Sequence, residues 1–238
     1  MIKPGKRGEM AQRERGIFGW TWFVIWRSVL VLLLLLLALL LTLRFVPPPT
    51  SAFMLQSPYP VSQQWVSIDK LPAHVALAVV ASEDQRFPEH FGVDMAEIKN
   101  ALERFDDGDG LRGASTITQQ TAKNLLLWPG RSLVRKGLEA TLALSLEAVW
   151  GKKRILEVYL NIAEFGKGIY GVEAASQHYF GKPASRLSVN EAARLAVLLP
   201  GPRSRDARNL TPYLRERVVW VERQMRQLGS DYLTPMLN

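Results

Sequence analysis

Cysteine is absent from the chain, and its absence excludes disulfide bonds, a thiol nucleophile and any metal site built on thiolates. A chain without cysteine suits an oxidising compartment without proving one. Histidine is nearly as scarce, with 3 residues at positions 74, 90 and 178. Their scattered spacing makes a histidine-built zinc site a poor interpretation.

Acidic residues are fewer than basic ones, 22 against 30, which gives the 238-residue chain a formal net charge of +8. This balance suits nucleic acid, anionic lipid or a phosphorylated substrate, and does not choose among them. Nucleic acid is the weakest of the three: much of the positive charge lies in the N-terminal tail, and the Ser/Thr/Gln-rich segment lacks aromatic interleaving. The length beyond a membrane segment suffices for about one domain.

Charge is missing altogether from Ser28 to Leu43, a run dominated by leucine. A membrane-spanning helix needs about 20 mostly apolar residues, and Val24 to Phe45 supplies that length if Arg27 and Arg44 reach the two interfaces. Tryptophans at 20, 22 and 26 are placed for an interfacial belt. The alternative, a buried core helix, is disfavoured because few polar residues remain for a soluble face.

The tail before this segment has an excess of Lys and Arg, which predicts a cytoplasmic N-terminus and an outside position for everything after residue 46. A cleaved signal peptide is the rival interpretation. The apolar run is longer than a signal core, and no small-x-small cleavage site precedes Pro47-Pro48-Pro49. The predicted organisation is a cytoplasmic basic tail at 1–23, an anchor at 24–45, a Pro-rich linker at 46–65 and a globular domain at 66–230.

From Asp69 onward the pattern is mainly helical, with neither an internal repeat nor a run of alternating strands. Capping signals mark the helix starts, since Ser, Thr and Asp side chains accept free backbone N–H groups there. They predict starts at Pro72, Asp94, the Thr116/Gln119 capping box, Ser132, the Ser188/Glu191 capping box and Thr211-Pro212. The predicted stops include Leu126, Pro200-Gly201-Pro202 and Gly229.

Glu83 and Asp84 follow the apolar stretch from Val75 to Ala81. A carboxylate at the wall of an apolar pocket, beside a second negative charge, has two reasons for a raised pKa. Such a group can take a proton from a sugar hydroxyl near neutral pH. The alternative is a solvated helix end with ordinary charges.

Residues 113–124 place hydroxyls, amides and a lysine on about two helical turns. These groups suit sugar hydroxyls and phosphate, and the helix start offers free N–H groups to an anion. A polar helix facing solvent is the alternative, although so dense a run of Ser, Thr and Gln is costly for a helix. Next come Arg131, Arg135 and Lys136, which could meet a pyrophosphate or form a solvated face.

Residues 155–182 are rich in glycine, which indicates close backbone packing or a turn near a ligand. Tyr159 and Tyr179 in this segment are better interpreted as core residues than as sugar platforms.

Together these segments resemble the glycosyltransferase module of peptidoglycan synthases, glycosyltransferase family 51, from about Trp65 to Pro202. The motifs are Glu-Asp-x-x-Phe-x-x-His-x-Gly-x-Asp at 83–94, Gly-Ala-Ser-Thr-Ile-Thr-Gln-Gln-x-x-Lys-Asn at 113–124, Arg-Lys-x-x-Glu at 135–139, Ile-Leu-Glu-x-Tyr-Leu-Asn at 155–161, Tyr-Phe-Gly-Lys at 179–182 and Leu-Ser-x-x-Glu-Ala-Ala at 187–193. No motif position departs from the family pattern. Because the chain ends soon after the module, it resembles the monofunctional biosynthetic form, without a transpeptidase domain.

The resemblance implies a mainly α, lysozyme-like domain with a head lobe and a membrane-associated jaw lobe. It implies an enzyme of cell wall synthesis and cell shape in the bacterial inner membrane. Its reaction joins a glycan carried on undecaprenyl pyrophosphate to the 4-hydroxyl of lipid II, and other cell-wall or division proteins are expected partners.

The resemblance also assigns roles to residues. Glu83 is the base, and Glu139 is a second acidic residue assisting at the donor side. Lys123 and Arg131 would neutralise the departing pyrophosphate, with Arg135 and Lys136 also expected to bind substrate. Sugars or phosphate oxygens would be held by Ser115, Thr116, Gln119, Gln120 and Asn124. Asp84 lies where the family places a divalent metal, Mg²⁺ or Mn²⁺.

The chemistry is consistent with transfer. Pyrophosphate leaves as a stable anion beside cations, so no strong general acid is needed, whereas a glycosidase must protonate its leaving group. Two alternatives stay open: a lytic muramidase that uses Glu83 as an acid, and a non-catalytic membrane adaptor of the cell-wall machinery.

Overall fold

The computed structural model describes residues 6–97, 99, 115–130 and 132–237, with residues 6–19 described as backbone only. The chain divides into two compact units, one ending at Val46 and the other beginning at Pro47. Helix dominates the described residues, which confirms the mainly α fold class.

The first unit is one continuous helix, α1 (Lys6–Phe45). Within it, Trp20–Phe45 has a mean hydropathy of 2.8 and is long enough to cross a membrane. Almost all of its side chains are exposed, whereas a core helix would bury them. The core-helix alternative is therefore disfavoured, and this segment is the candidate for a single membrane anchor within the described part of the chain.

The second unit contains the remaining elements. Its helices are α2 (Ala52–Leu55), α3 (Ala73–Glu83), α4 (Ile117–Leu126), α5 (Leu133–Val149), α6 (Lys152–Ile162), α7 (Val172–Phe180), α8 (Val189–Ala196), α9 (Pro212–Leu228) and α10 (Thr234–Leu237). A small sheet of β1 (Ser62–Gln63), β2 (Glu164–Gly166) and β3 (Ile169–Tyr170) has the order β1-β3-β2. Strand β3 runs parallel to β1 and antiparallel to β2.

Residues 51–63 differ from the predicted linker, because they carry α2 and β1 and belong to the folded unit. Asn161 holds the following segment onto α6: its Nδ2 donates to the Val66 carbonyl (2.8 Å) and its Oδ1 accepts the Val66 N–H (2.8 Å). A proline-rich composition predicts an extended chain, and an extended chain can also pair as a strand when a sheet edge lies beside it.

Helix α3 lies at the centre of the second unit. All residues from Val75 to Ala81 are buried, and α3 packs against α8 and α9, while α4 packs against α5 and α6. Each fully buried Val or Leu side chain contributes roughly 1.5–3 kcal/mol, so α3 is held firmly on every side. Its last residue, Glu83, is thereby fixed in position at the edge of the core.

The predicted helix starts are confirmed where the structure describes them. Thr116 and Ser188 each form a full capping box, while Ser132 and Thr211 accept one N–H group of the helix that follows. Asp94 accepts the N–H groups of Ala96 and Glu97. The predicted end of α8 is too late, because the helix stops at Ala196 rather than near Pro200. From Leu198 onward the backbone N–H groups bond to carbonyls three residues earlier, so the chain continues as tight turns.

Close backbone packing accounts for a glycine of the 155–182 segment. Gly171 has φ +82°, and a Cβ there would lie 2.7 Å from the Asn161 carbonyl oxygen. Only glycine fits without strain at such an approach. Tyr159 and Tyr179 are both buried, which confirms that they are core residues.

Candidate active site

Glu83 ends α3 and lies half-buried on the wall of a cleft of about 310 Å³, the first cleft, lined also by Ser82, Arg86, Asp94 and Ser115. Its Oε2 accepts a hydrogen bond from Nε2 of Gln120 (3.0 Å). Burial raises the pKa of Glu83, while the hydrogen bonds from Gln120 and Ser82 and the charges of Arg217 and Arg205 lower it by less. A carboxylate of raised pKa in a cleft is suited to proton transfer near neutral pH.

Gln120 is held in one orientation by Tyr159. The Tyr159 hydroxyl donates to Oε1 of Gln120 (3.0 Å), so the amide nitrogen is the end that faces Glu83. Burial, with the charges of Glu83 and Asp84, raises the pKa of Tyr159 well above 10.0, so this hydroxyl stays a donor. The three side chains form a buried polar chain that fixes the position of the Glu83 carboxylate.

Glu139 is buried on α5 between two cations. Its Oε2 lies 2.6 Å from Nη1 of Arg135, and its Oε1 lies 2.6 Å from Nζ of Lys136. Lys136 also donates to the Ser115 hydroxyl (2.8 Å) at the rim of the first cleft. These spacings of three and four residues put the three charged groups, the Glu139 triad, on one face of the helix.

Lys123 lies on the other side of Gln120 in a second cleft of about 370 Å³, lined also by Phe53, Asn124 and Arg203. Its ammonium nitrogen is 5.6 Å from the centre of the Phe53 ring. Burial lowers the pKa of Lys123, and the charges of Arg135 and Lys136 lower it further, while Glu139 and Glu83 raise it. The charge of Lys123 thus interacts with the carboxylates of both Glu83 and Glu139. The structure brings these three residues together.

Asp84 also lines the first cleft, but its carboxylate is engaged within the fold. Its Oδ2 accepts the N–H of Ile117 (2.9 Å) at the start of α4, and both of its oxygens lie 3.0 Å from Nε2 of His90. A carboxylate is favourable at a helix N-terminus. Asp84 therefore joins the end of α3 to the start of α4.

Thr116 and Gln119 are likewise engaged within the fold. The Thr116 hydroxyl donates to the Gly92 carbonyl (2.6 Å) and accepts the Gln119 N–H, while the Gln119 Oε1 accepts the Thr116 N–H. Both side chains are buried. A contact of either side chain with sugar or phosphate would compete with this capping box. The role that the structure shows for Thr116 and Gln119 is to stabilise the start of α4.

The comparisons with known proteins agree with the motifs. The model of the transglycosylase family matches residues 51–226. The chain is 76% identical to the biosynthetic peptidoglycan transglycosylase of Shewanella frigidimarina over 228 residues, 96% of this chain and 99% of that protein. The corresponding Marinomonas protein is 71% identical over 96% of this chain and its own full length, and that of Cronobacter sakazakii is 51% identical over 86% and 89%. The chain belongs to the transglycosylase family.

The metal expected from the resemblance to this family does not fit the described residues around Asp84. In the ranges that the structure covers, no group of three or more His, Cys, Asp or Glu side chains is arranged to hold a metal ion. Both Asp84 oxygens already bind His90, and one also binds Ile117. The divalent metal stays a prediction, and no step proposed below depends on one.

Arg131, a predicted pyrophosphate ligand, lies outside the described residues. Asn124 lines the second cleft beside Lys123, where a substrate contact is open to it.

Four further residues of this transglycosylase surround the site without a sequence motif to mark them: Phe53, Arg203, Arg205 and Arg217. Phe53 and Arg203 line the second cleft, and Arg205 and Arg217 act electrostatically on Glu83. Phe53 lies in the segment that the composition assigns to a linker. The arginines lie beyond the last quoted motif: tertiary packing brings Arg205 and Arg217 near Glu83 and Arg203 to the second cleft.

Proposed function

We propose that this transglycosylase polymerises lipid II into β-1,4-linked glycan strands with Glu83 as the general base. The family assignment supports glycosyl transfer in cell wall synthesis. The observation that carries the finer proposal is a carboxylate of raised pKa on a cleft wall, near a half-buried lysine whose charge interacts with Glu83 and with the Glu139 triad.

The reaction is a single displacement. The 4-hydroxyl of the acceptor lipid II gives its proton to Glu83 while its oxygen bonds to C1 of the donor sugar. The bond from C1 to the phosphate oxygen breaks, and the undecaprenyl pyrophosphate takes the bonding electrons. Attack from the face opposite an α-linked leaving group inverts C1 and gives a β linkage.

The burial of Glu83 favours this proton transfer, because it raises the pKa of the carboxylate. A carboxylate with an ordinary pKa is a weak base near neutral pH, and a raised pKa brings it closer to the pH at which it works. The Gln120 hydrogen bond favours the ionised form of Glu83 and so limits the rise of its pKa. Gln120 and Tyr159 together aim the carboxylate.

The cations serve the leaving group. Lys123, Arg135 and Lys136 are placed to stabilise the negative charge that grows on the pyrophosphate, which is the usual means of assisting an anionic leaving group. Glu139 holds Arg135 and Lys136 in place through two short ion pairs. In this proposal it positions cations and does not itself transfer a proton.

The anchor serves substrate capture. Both substrates carry long lipids, and an enzyme held on the same membrane meets them at a high effective concentration. The excess of Lys and Arg before α1 supports a cytoplasmic N-terminus and a periplasmic domain. Fusing a reporter that fluoresces only in the cytoplasm to either end of the chain tests this orientation: a signal from the N-terminal fusion alone is expected.

A lytic muramidase is the second candidate, because a carboxyl group of raised pKa can also donate a proton. The two functions differ in product. Purified lipid II should give longer glycans with a transglycosylase, whereas a muramidase would shorten preformed polymer.

Replacing Glu83 with Gln tests the role of the base. The lipid II polymerisation rate should fall by about two orders of magnitude or more, the scale of a general-base contribution, while circular dichroism shows an unchanged fold. Glu216→Gln, which removes an exposed carboxylate from α9, is the matched control and should polymerise normally. Full activity of Glu83→Gln would reject the assigned base, and retained function in cells would favour the adaptor.

A further inference from the structure

The second cleft does not end at Arg203. Pro202, Arg203 and Ser204 line both it and a neighbouring depression of about 520 Å³. We name this depression the distal groove; its other charged or titratable side chains are Lys167, His178, Tyr179, Arg205, Asp206 and Arg208. Because the lining residues are shared, the two spaces adjoin, and a polymer that extends past Arg203 from the second cleft would next meet the distal groove.

The distal groove has an excess of positive charge. Arg208 pairs with Asp206 (3.3 Å) and Arg203 with Glu164 (3.0 Å), so the two carboxylates nearby are each matched by one arginine. Lys167 and Arg205 supply the surplus positive charge, because among the described residues neither forms an ion pair. The ammonium nitrogen of Lys167 lies 5.9 Å from the centre of the Tyr59 ring. Nη1 of Arg205 donates to the Val197 carbonyl (2.5 Å), which holds one nitrogen of the guanidinium and leaves its other N–H groups as further donors.

We propose that the distal groove binds the carboxylates of the peptides carried by the growing glycan strand. This inference rests on the proposed function. A strand that reacts beside Glu83 carries its diphosphate at that end only, so the diphosphate cannot also neutralise a groove farther along. Peptides attached through their N-termini repeat along the strand, and each ends in a carboxylate, for which arginine is a strong and well-matched partner.

The groove also explains how a strand stays bound between additions. Each partly exposed ion pair contributes little by itself. Several weak contacts on one tethered polymer nevertheless slow its departure, because a contact that opens re-forms before the others are lost. The expected consequence is a longer product and an unchanged first coupling.

The test removes two charges from the groove in the full-length protein. The double variant Lys167→Gln/Arg208→Gln keeps both side chains long and polar. Counted together, the four basic side chains of the groove exceed Asp206 and Glu164 by two charges, and the variant brings this surplus to zero while leaving Arg205 beside Glu83 intact. Its matched control is Arg223→Gln/Arg226→Gln, which removes the same charge from exposed positions on α9 that line no described cleft. Each protein receives lipid II with free peptide carboxylates and, separately, lipid II whose peptide carboxylates are amidated.

With free carboxylates, the groove variant should give strands shortened by about two- to fivefold, the size expected for losing two partly exposed ion pairs. Its initial rate of lipid II consumption should stay within about twofold of wild type. With amidated substrate, wild type should already give short strands, and the groove variant should shorten them no further.

Equal strand lengths for the groove variant and wild type on the free-carboxylate substrate would overturn the inference. So would equal shortening by the α9 control, which would indicate a general charge effect. Either result leaves the proposed function standing, because polymer still forms. A wild-type protein that makes no polymer from either substrate would instead overturn the proposed function, and this inference with it.

Discussion

Glu83 links activity to stability, because the burial that raises its pKa also opposes its ionisation in the folded state. The folded protein holds the proton more tightly than the unfolded chain. The stability associated with protonated Glu83 is therefore present below its ordinary pKa of 4.5 and is lost as pH rises through the higher folded pKa.

This coupling predicts a pH-dependent effect of Glu83→Gln. The melting temperature of the variant minus that of wild type should increase from about pH 4 to about pH 7, since Gln carries no charge to bury. Thermal unfolding followed by circular dichroism in detergent measures it. The polymerisation rate of wild type should rise with pH through a transition above 4.5. A melting difference that stays constant with pH would contradict the buried state of Glu83.

Gln120 gives a second prediction at this scale. Its N–H donor stabilises ionised Glu83, so Gln120→Met should raise the pKa of Glu83 further and move the acid side of the pH–rate profile to higher pH. Tyr159→Phe, which leaves the amide in place but removes its partner, should move it less. Superimposable profiles for Gln120→Met and wild type would show that this hydrogen bond has no influence on the base.

Some site residues can be recognised from local motifs, whereas others reach the site only through tertiary packing. Glu83, Lys123 and Glu139 stand in dense local motifs, and the structure brings them together. Thr116 and Gln119 were assigned both a capping box and ligand binding, and one side chain cannot freely do both. Nothing local marks Arg205 or Arg217: Arg217 reaches Glu83 through the packing of α9 against α3, and Arg205 lies in the irregular segment between α8 and α9.

At the scale of elements, the helix starts were predictable because a capping side chain acts on its own first turn. The small sheet was not: β1 and β3 are two residues long and pair across a separation of more than one hundred positions. A strand of two residues is too short to show an alternation of polar and apolar side chains. The pairing of Ser62 with Ile169 depends on the tertiary fold. For the same reason the composition of residues 51–63 indicates a linker where the structure has α2 and β1.

Two glycines with positive φ differ both in backbone conformation and in what an added side chain would meet: ψ is 153° at Gly171 and 27° at Gly181. Gly171 and Gly181 both have positive φ, +82° and +66°, but an added Cβ meets the Asn161 carbonyl at 2.7 Å only at Gly171, with nothing within 4 Å at Gly181. Gly171→Ala should therefore destabilise by about 1–3 kcal/mol more than Gly181→Ala, the usual cost of overpacking. Thermal unfolding of both variants under one condition measures the difference. Equal losses of stability in the two variants would mean that the backbone at Gly171 and α6 move apart at little cost.

At the scale of the whole molecule, the C-terminal segment closes over the turn that follows Glu83. The Tyr232 hydroxyl donates to the Gln85 carbonyl (2.7 Å), and the Gln85 side chain donates to Oε1 of Gln224 on α9 (3.2 Å). The family match ends at residue 226, so Tyr232 is a contact from beyond the shared domain. The turn that it holds carries Asp84, which anchors α4.

Tyr232→Phe tests this contact. Loss of one partly buried hydrogen bond should lower stability by about 1 kcal/mol, and looser placement of Glu83 should lower kcat by a few-fold with little change in KM. Tyr213→Phe, at an exposed position on α9, is the control and should change neither. A Tyr232→Phe protein with wild-type kcat would show that the turn keeps its geometry unaided.

The Glu139 triad sets how firmly the cationic end of the site can hold an anion. Arg135 and Lys136 together carry two positive charges, and the buried carboxylate between them cancels one. In the proposed reaction, the spent lipid carrier meets enough charge to be stabilised as it forms, yet less than two unpaired cations would offer. Turnover requires that carrier to dissociate. By cancelling one of the two positive charges, the buried Glu139 carboxylate limits how long the carrier stays bound.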